Sequence, residues 1–356
     1  MSEIARIVIR APNWLGDAVM ALPAMGMVRA AFADAHLAVA AIPSIAPLFE
    51  EQTNAGQNHV LTIGASRREW RVLAAGQFDA ILLLPNSFRT ARAATRARIG
   101  ERWGYAAQLR QWLLTRAVPR PRTRLHQSLY YRELVRGLGM TATEAPPTIN
   151  VQPETAARAD ALLAKYSIVP GTRMIGFAPG AAYGHAKRWP PRRVADVIGR
   201  LSRDGGATCV LFGADGDREA GREIESSLPS DVRVVNLIAR TDLRLLAGVV
   251  ARCSAFVSND SGAMHLAAGL GVPVTAIFGP TDERVTAPTD VAASTTDTPD
   301  RVTHDVLTHS VFCRPCMLRE CPIDHRCMKG ITVDAVVASV MRRLEAWPER
   351  SRGAVR

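Results

Sequence analysis

The segment FVSNDSGAMHLAAGLGVPVTAIFGPTDE, running from Phe256 to Glu283, decides the fold. A short apolar run, Ala255 to Val257, ends in the polar turn Ser258-Asn259-Asp260-Ser261-Gly262. A helix-like segment from Ala263 to Leu270 follows. A second buried-strand run then spans Val272 to Phe278 and closes on Gly279-Pro280. Together they predict a strand–loop–helix–strand unit with its polar residues at the carboxyl end of a strand. Open parallel sheets bind their ligands along that edge. A helix N-terminus there offers free N–H groups and a positive dipole end, which suit a phosphate. Asp260, Ser261 and Gly262 are placed to touch such an anion or its sugar, and His265 follows one turn later. Asp and Ser are also favoured helix caps, so the same residues read equally as an ordinary cap.

The amino-terminal end repeats the pattern. Ile4 to Arg10 reads as a strand, Ala11-Pro12-Asn13-Trp14-Leu15-Gly16-Asp17 as a polar turn, and Ala18 to Phe32 as an apolar helix. Gly16 permits a close-packed backbone. Asp17 falls at or beside the helix start, where capping competes with any chemical role. Two such edges in separate halves imply two similar domains and a cleft between them.

Strand-like and helix-like segments alternate between these ends. Expected strands are His36–Ile42, His59–Ile63, Asp79–Leu84, Met174–Ala178, Ala207–Phe212 and Val232–Asn236. Helices are expected near Ala46–Gln52, Arg67–Ala75 and Leu125–Leu138, over Glu154–Tyr166, and from Pro191, Arg218 and Leu243. Such βα alternation predicts mostly parallel sheets. The arginine-rich region after Asn86 reads as helical, Ala145-Pro146-Pro147 as a linker, and Asp282 to Asp305 as a polar loop. An amphipathic helix is expected from Val333 to Trp347, with a frayed tail from Pro348.

A length of 356 residues suits two domains, each with its own core. No apolar run approaches the roughly 18 residues of a spanning helix, and Arg6 and Arg10 interrupt the first one, which argues against a signal peptide. A cytoplasmic location is the expectation. The formal net charge of +11 is unevenly placed. Arg89, Arg92, Arg96, Arg98, Arg102, Arg110, Arg116, Arg120, Arg122 and Arg124 stand against the single acid Glu101. Such a patch fits an anionic partner, and arginine favours bidentate carboxylate or phosphate contacts. It also fits a solvated surface in an arginine-rich chain. Trp103, Tyr105 and Trp112 interleave with these arginines, a pattern compatible with single strands. No nucleic-acid module accompanies it, so no nucleic-acid partner is expected.

Three motifs in order, RAPNWLGDAVMALPA (10–24), FAPGAAYGHAKRWPP (177–191) and VSNDSGAMHLAAGLGVPVTAIFGPT (257–281), resemble glycosyltransferase family 9. The likeness runs over nearly the whole chain and is strongest to the heptosyltransferases of lipopolysaccharide synthesis. It implies a GT-B fold, two doubly wound α/β domains facing across a cleft. The implied division is an acceptor domain over 1–165, a donor domain over 166–332, and a carboxyl-terminal helix over 333–356 packing back on the first domain.

The resemblance also assigns roles. Asp17 matches the family's base, which would deprotonate an acceptor hydroxyl for inverting attack on the anomeric carbon. Lys187, after a small-residue loop, would steady the leaving diphosphate, with Arg188 beside it. Asp260, Ser261, Gly262 and His265 match the donor loop. There Asp260 would touch heptose hydroxyls, and His265 is either a phosphate donor or a core histidine. Met264 either lines the adenine or sugar pocket or simply packs. Glu219, ahead of Asp217, would accept the ribose hydroxyls. Asn13 with Arg89, Arg92, Arg96 and Arg98 would serve the acceptor. The implied partners are ADP-heptose and an anionic lipid-linked oligosaccharide at the inner face of the inner membrane, and no cofactor is needed for transfer.

Cys313, Cys316, Cys321 and Cys327 form a compact cluster with His325 nearby. They read either as a structural zinc or iron site or as reduced packing thiols. Cys209 and Cys253 read as core. Two other functions share these features: a protein-directed heptosyltransferase, and a nucleotide-sugar or anion-binding protein without transfer activity.

Overall fold

The computed structural model of the protein describes residues 4–52, 59–64, 68–141, 147–289 and 304–346. It divides into two compact units, Met1–Asn150 and Val151–Arg356.

In the first unit, strands β1 (Arg6–Arg10), β2 (His36–Ala41), β3 (His59–Thr62), β4 (Ala80–Leu83), β5 (Glu101–Tyr105) and β6 (Arg116–Val118) form one sheet. Its strand order is β3-β2-β1-β4-β5-β6, and every pair runs parallel. The helices are α1 (Leu15–Ala31), α2 (Ala46–Glu51), α3 (Glu69–Ala75), α4 (Phe88–Arg96) and α5 (Gln127–Gly137). Val8, Ala38, Ile81 and Leu83 anchor one core cluster beneath the sheet.

The second unit repeats the design. Its strands are β7 (Met174–Ala178), β8 (Thr208–Leu211), β9 (Val235–Asn236), β10 (Ala255–Asn259), β11 (Val274–Phe278) and β12 (Asp305–Thr308). They are ordered β12-β11-β10-β7-β8-β9 and again all parallel. Read from the other edge, this order is the same as in the first unit. Its helices are α6 (Pro153–Ala164), α7 (Pro191–Gly205), α8 (Arg218–Ser227), α9 (Leu243–Val250), α10 (Gly262–Gly269), α11 (Glu283–Thr286), α12 (Arg326–Lys329) and α13 (Val333–Ala346). Both sheet faces are covered. Ile175, Phe177, Leu211 and Val257 enter one cluster, while Met174, Ala178, Val210 and Phe256 enter the other. This is period-two alternation buried on both sides, which is why the strands read as continuous apolar runs.

Both units are therefore doubly wound α/β, the build expected of a GT-B chain. Several local expectations need correction. The arginine-rich region is α-helical over α4 and then supplies β5, a short 3-10 turn at Gln111–Leu113, and β6. Trp103 and Tyr105 are core residues, Trp103 stacking on Phe32 at 5.9 Å and Tyr105 donating to the Tyr130 carbonyl at 2.7 Å. Helix α6 packs on α9 inside the second unit, so the division falls after Asn150 rather than after residue 165. Helix α13 packs on α7, β10, β11 and β12 of its own unit, where the expectation had it against the first. The pairing is specific: Ser339 Oγ lies 2.8 Å from Thr275 Oγ1 and donates to Asp305 Oδ2 at 2.7 Å. Ala145, Pro146, most of the expected 282–305 loop and the tail from Pro348 lie outside the described residues.

Candidate active site

In a 3-2-1-4-5-6 sheet the chain winds away in opposite directions from the first and fourth strands, leaving a crevice at their carboxyl ends. In the first unit that edge is formed by the loops after β1 and β4. Helix α1 starts at the β1 loop with Trp14 as its N-cap, and no side chain caps it. Asp17, in the first turn, is thus not the N-cap residue. Its Oδ1 accepts from Tyr131 Oη of α5 at 3.3 Å. Tyr131 is buried, and burial first, then the Asp17 charge, pushes its phenol well above the usual tyrosine range. The hydroxyl stays protonated and can only stabilise the ionised carboxylate. Asn13 Oδ1 accepts from Arg10 Nη2 at 2.9 Å, while Arg10 Nε donates to Glu69 at 2.7 Å. Arg10 and Glu69 are nearly inaccessible, so this pair fixes the β1 loop from beneath.

The expected arginine set does not gather at this edge. Helix α4 leaves the carboxyl end of β4 and returns to the start of β5. Arg89 therefore lies toward the Asp17 end, Arg92 at the middle of the helix, and Arg96 and Arg98 toward the opposite end. Arg96 sits over the Trp70 ring at 4.9 Å, and Arg98 ends the helix turn at φ +57°.

In the second unit, the loops after β7 and β10 meet at the corresponding crevice. Lys187 Nζ lies 2.5 Å from Asp260 Oδ2, which also accepts from Thr281 Oγ1 at 2.7 Å. Lys187 and Asp260 are only 12% and 7% exposed, so little solvent screens the pair. Asp260 is thus the lysine's partner, a contact that the sequence did not announce. Lys187 Nζ also lies 4.8 Å above the Tyr183 ring. Asn259 joins the two loops, donating to the Pro179 carbonyl at 2.6 Å and accepting from Trp189 N at 3.2 Å.

Ser261 is the N-cap of α10 and makes no side-chain cap bond; its Oγ lies 3.0 Å from Ser258 Oγ. The first amides of α10, beginning at Gly262, therefore open the helix on the edge that carries Lys187. His265 is buried one turn on, and Met264, fully buried in the core, packs rather than lining a pocket. Arg188 Nη2 contacts Asp217 Oδ1 at 3.4 Å, and its Nε is a buried donor without a partner among the described residues. Asp217 Oδ2 accepts from Ala214 N at 3.0 Å, and a Cβ on Gly180 would sit 2.2 Å from Asp217 Cγ. Glu219 is exposed on the first turn of α8.

A feature absent from the sequence reading is the strap that holds the Lys187 loop. Tyr183 Oη donates to the Met317 carbonyl at 2.8 Å, and Ala186 N to the Arg319 carbonyl at 2.9 Å. Arg319 also lies over the Tyr183 ring, its Cζ 5.2 Å from the centroid. Met317 N donates to the Pro280 carbonyl at 2.9 Å, and Arg314 Nε to that of Gly279 at 2.7 Å. These contacts span more than a hundred residues in places, so no local signal announces them.

The four cysteines belong to this strap and line one cavity with Ala186, Pro280 and Asp324. Their thiols are free, and among the described residues no three His, Cys, Asp or Glu side chains are grouped to hold a metal ion. The zinc or iron expectation lacks support. Burial first, and the neighbouring thiols with it, pushes the Cys327 thiol up. Cys209 and Cys253 are buried as expected.

Residues 66–307 match the model of glycosyltransferase family 9 (heptosyltransferase). The chain belongs to that family. It is 31% identical over 297 residues to lipopolysaccharide heptosyltransferase 2 of Salmonella typhimurium, spanning 80% of this chain and 85% of that protein. Identity to lipooligosaccharide heptosyltransferase 2 of Haemophilus influenzae is 31% over 303 residues, 79% of this chain and 85% of that one. Among solved structures, Escherichia coli ADP-heptose LPS heptosyltransferase II superposes with a TM-score of 0.78 at 26% identity, covering 96% and 98% of the two chains. A family 9 protein of Veillonella parvula shares the fold at a TM-score of 0.82 and 20% identity, covering 97% and 99%. This heptosyltransferase thus carries a carboxylate at one crevice and a paired cation beside a helix N-terminus at the other. No helix among its described residues is long and apolar enough to cross a membrane.

Proposed function

We propose that this enzyme transfers heptose from ADP-heptose to the inner-core heptose or Kdo region of a lipopolysaccharide acceptor, with inversion at the anomeric carbon. The observation that carries the reading is the Lys187–Asp260–Thr281 cluster beside the start of α10. Asp17 takes the proton from an acceptor hydroxyl, whose oxygen attacks the anomeric carbon. The bond from that carbon to the diphosphate oxygen breaks, and ADP departs. The charge growing on ADP is met by Lys187, by Arg188 and by the amides opening α10. Tyr131 keeps the Asp17 carboxylate oriented and ionised. Glu219 accepts from the ribose, and Ser261 and Gly262 hold phosphate oxygens.

Asn13, Arg89 and Arg92 would meet the phosphorylated acceptor near Asp17. In this reading the enzyme works as a peripheral protein at the cytoplasmic face of the inner membrane. Cationic side chains supply the charge that a divalent ion gives other transferases, so a chelator is expected to leave turnover unchanged. A protein-directed acceptor uses the same machinery and is separated by the acceptor alone.

The test is incubation of purified enzyme with ADP-heptose and a heptose-deficient core acceptor. Product heavier by one heptose, matched by released ADP, supports the reading. Donor binding without product on any core acceptor defeats it.

A further inference from the structure

The loop between β5 and β6 holds two large apolar side chains out in solvent: Leu109 is 78% exposed and Trp112 69%. The Phe88 ring, at the start of α4, lies 5.9 Å from the Trp112 ring and is also exposed. This loop is not slack. Arg110, between the two, is fully buried, and its Nε donates to the Tyr105 carbonyl at 3.1 Å. Its terminal nitrogens reach the Pro85 and Ser87 carbonyls and Asn86 Oδ1. None of these partners is a carboxylate, and burial lowers the guanidinium pKa to about 10. Gln108 and Leu109 both sit in the left-handed region, at φ +47° and +54°, which side chains other than glycine disfavour. A rooted, strained loop thus displays the kind of side chain that folding normally hides.

Charge identifies what covers it. Arg89, Arg92, Arg116, Arg120, Arg122 and Arg124 are exposed on α4 and the following segments, and no Asp or Glu occurs between Glu101 and Glu133. A second exposed apolar group, Phe312, Met317, Leu318 and Ile323, lies among Glu320 and Asp324 as well as Arg319 and Arg326, so it has no preferred sign. Only the first pairs apolar anchors with one-signed charge.

We propose that the Leu109–Trp112 loop and the start of α4 dock on an anionic lipid surface. Leu109, Trp112 and Phe88 enter the headgroup layer, and the arginines meet its negative charge. The proposal rests on the reading that the acceptor is lipid-linked, and it names the face that approaches the lipid.

The experiment is co-sedimentation of the full chain with vesicles of phosphatidylcholine alone or mixed with phosphatidylglycerol, at low and high salt. Binding should be at least about ten-fold stronger to the anionic vesicles and should fade at high salt. The Leu109→Ser/Trp112→Ser variant should bind them about ten-fold more weakly. Its unfolding midpoint and its turnover on a delipidated, soluble core saccharide should match wild type. Equal sedimentation of variant and wild type, or no preference for anionic vesicles, overturns the proposal. Lost turnover on the soluble saccharide reassigns the surface to sugar binding and overturns it too, as does single-stranded RNA binding that the variant loses. Vesicle binding requires neither donor nor Asp17. Asp17→Asn should sediment as wild type, so a failed transferase reading and a failed docking surface give different results.

Discussion

The two units share a strand order yet place opposite chemistry at its turning point. At the first, the β1 loop leads to Asp17, held by a tyrosine hydroxyl that cannot ionise under ordinary conditions. At the second, the loop after β7 delivers Lys187 to a nearly buried carboxylate beside the opening of α10. The scaffold sets where a ligand meets the sheet, and the loops set what meets it. In the proposed mechanism the base and the leaving-group cation stand on separate units, so each is tuned by its own neighbours.

Four substitutions test that division. The largest effect should come from Asp17→Asn, which keeps size and removes basicity. Turnover should fall by roughly 10²–10⁴-fold, measured as ADP release, with thermal stability unchanged. A variant that stays active would remove Asp17 from the chemistry.

Lys187→Met should come next, acting on both rate and stability. Asp260 is then left as an almost inaccessible unpaired charge, and unfolding free energy should drop by about 3 kcal/mol in denaturant titrations. Adding Asp260→Asn should restore much of that stability without restoring turnover. Recovery of turnover in the double variant would make the pair structural only.

Gly184→Ala probes the strap. An added Cβ would lie 2.3 Å from the Arg319 carbonyl oxygen, so the Lys187 loop must part from its support. Donor KM should rise several-fold while an acceptor-side parameter, such as acceptor KM, stays constant. An unchanged donor KM would show that the strap does not position Lys187.

The smallest change is Tyr131→Phe, which deletes one hydrogen bond worth about 1 kcal/mol. That bond favours the charged form of Asp17, so its loss raises the carboxyl pKa. The acid limb of the kcat profile should move to higher pH, with donor KM unaffected. An unmoved limb would mean that the hydroxyl does not act on the reacting carboxylate.

Much of this was legible in the chain and the rest was not, for identifiable reasons. Strands such as Met174–Ala178 are buried on both faces, so their apolar runs stand out and their edges follow from them. Asp17, Lys187 and Asp260 were visible because a strand end followed by a polar turn marks the ligand edge. β5 was missed because Glu101-Arg102-Trp103-Gly104-Tyr105 reads as polar, whereas Trp103 and Tyr105 are buried and Arg102 Nε is bound to the Leu113 carbonyl at 2.7 Å. β6 is a three-residue strand at the sheet border and ends against Pro119, too short to show a period. The lysine–aspartate pairing, Tyr131 and the cysteine-bearing strap are contacts between segments far apart in the chain. Only folding brings them together, so residue type announced each side chain and geometry alone gave its partner.

The division of labour is tested most directly by calorimetric titration of ADP into wild type, Asp17→Asn and Lys187→Met. Asp17→Asn should bind ADP with unchanged affinity, and Lys187→Met should bind it at least about ten-fold more weakly, the cost of one charge-assisted contact. Weakened binding in Asp17→Asn together with unchanged binding in Lys187→Met would contradict the account.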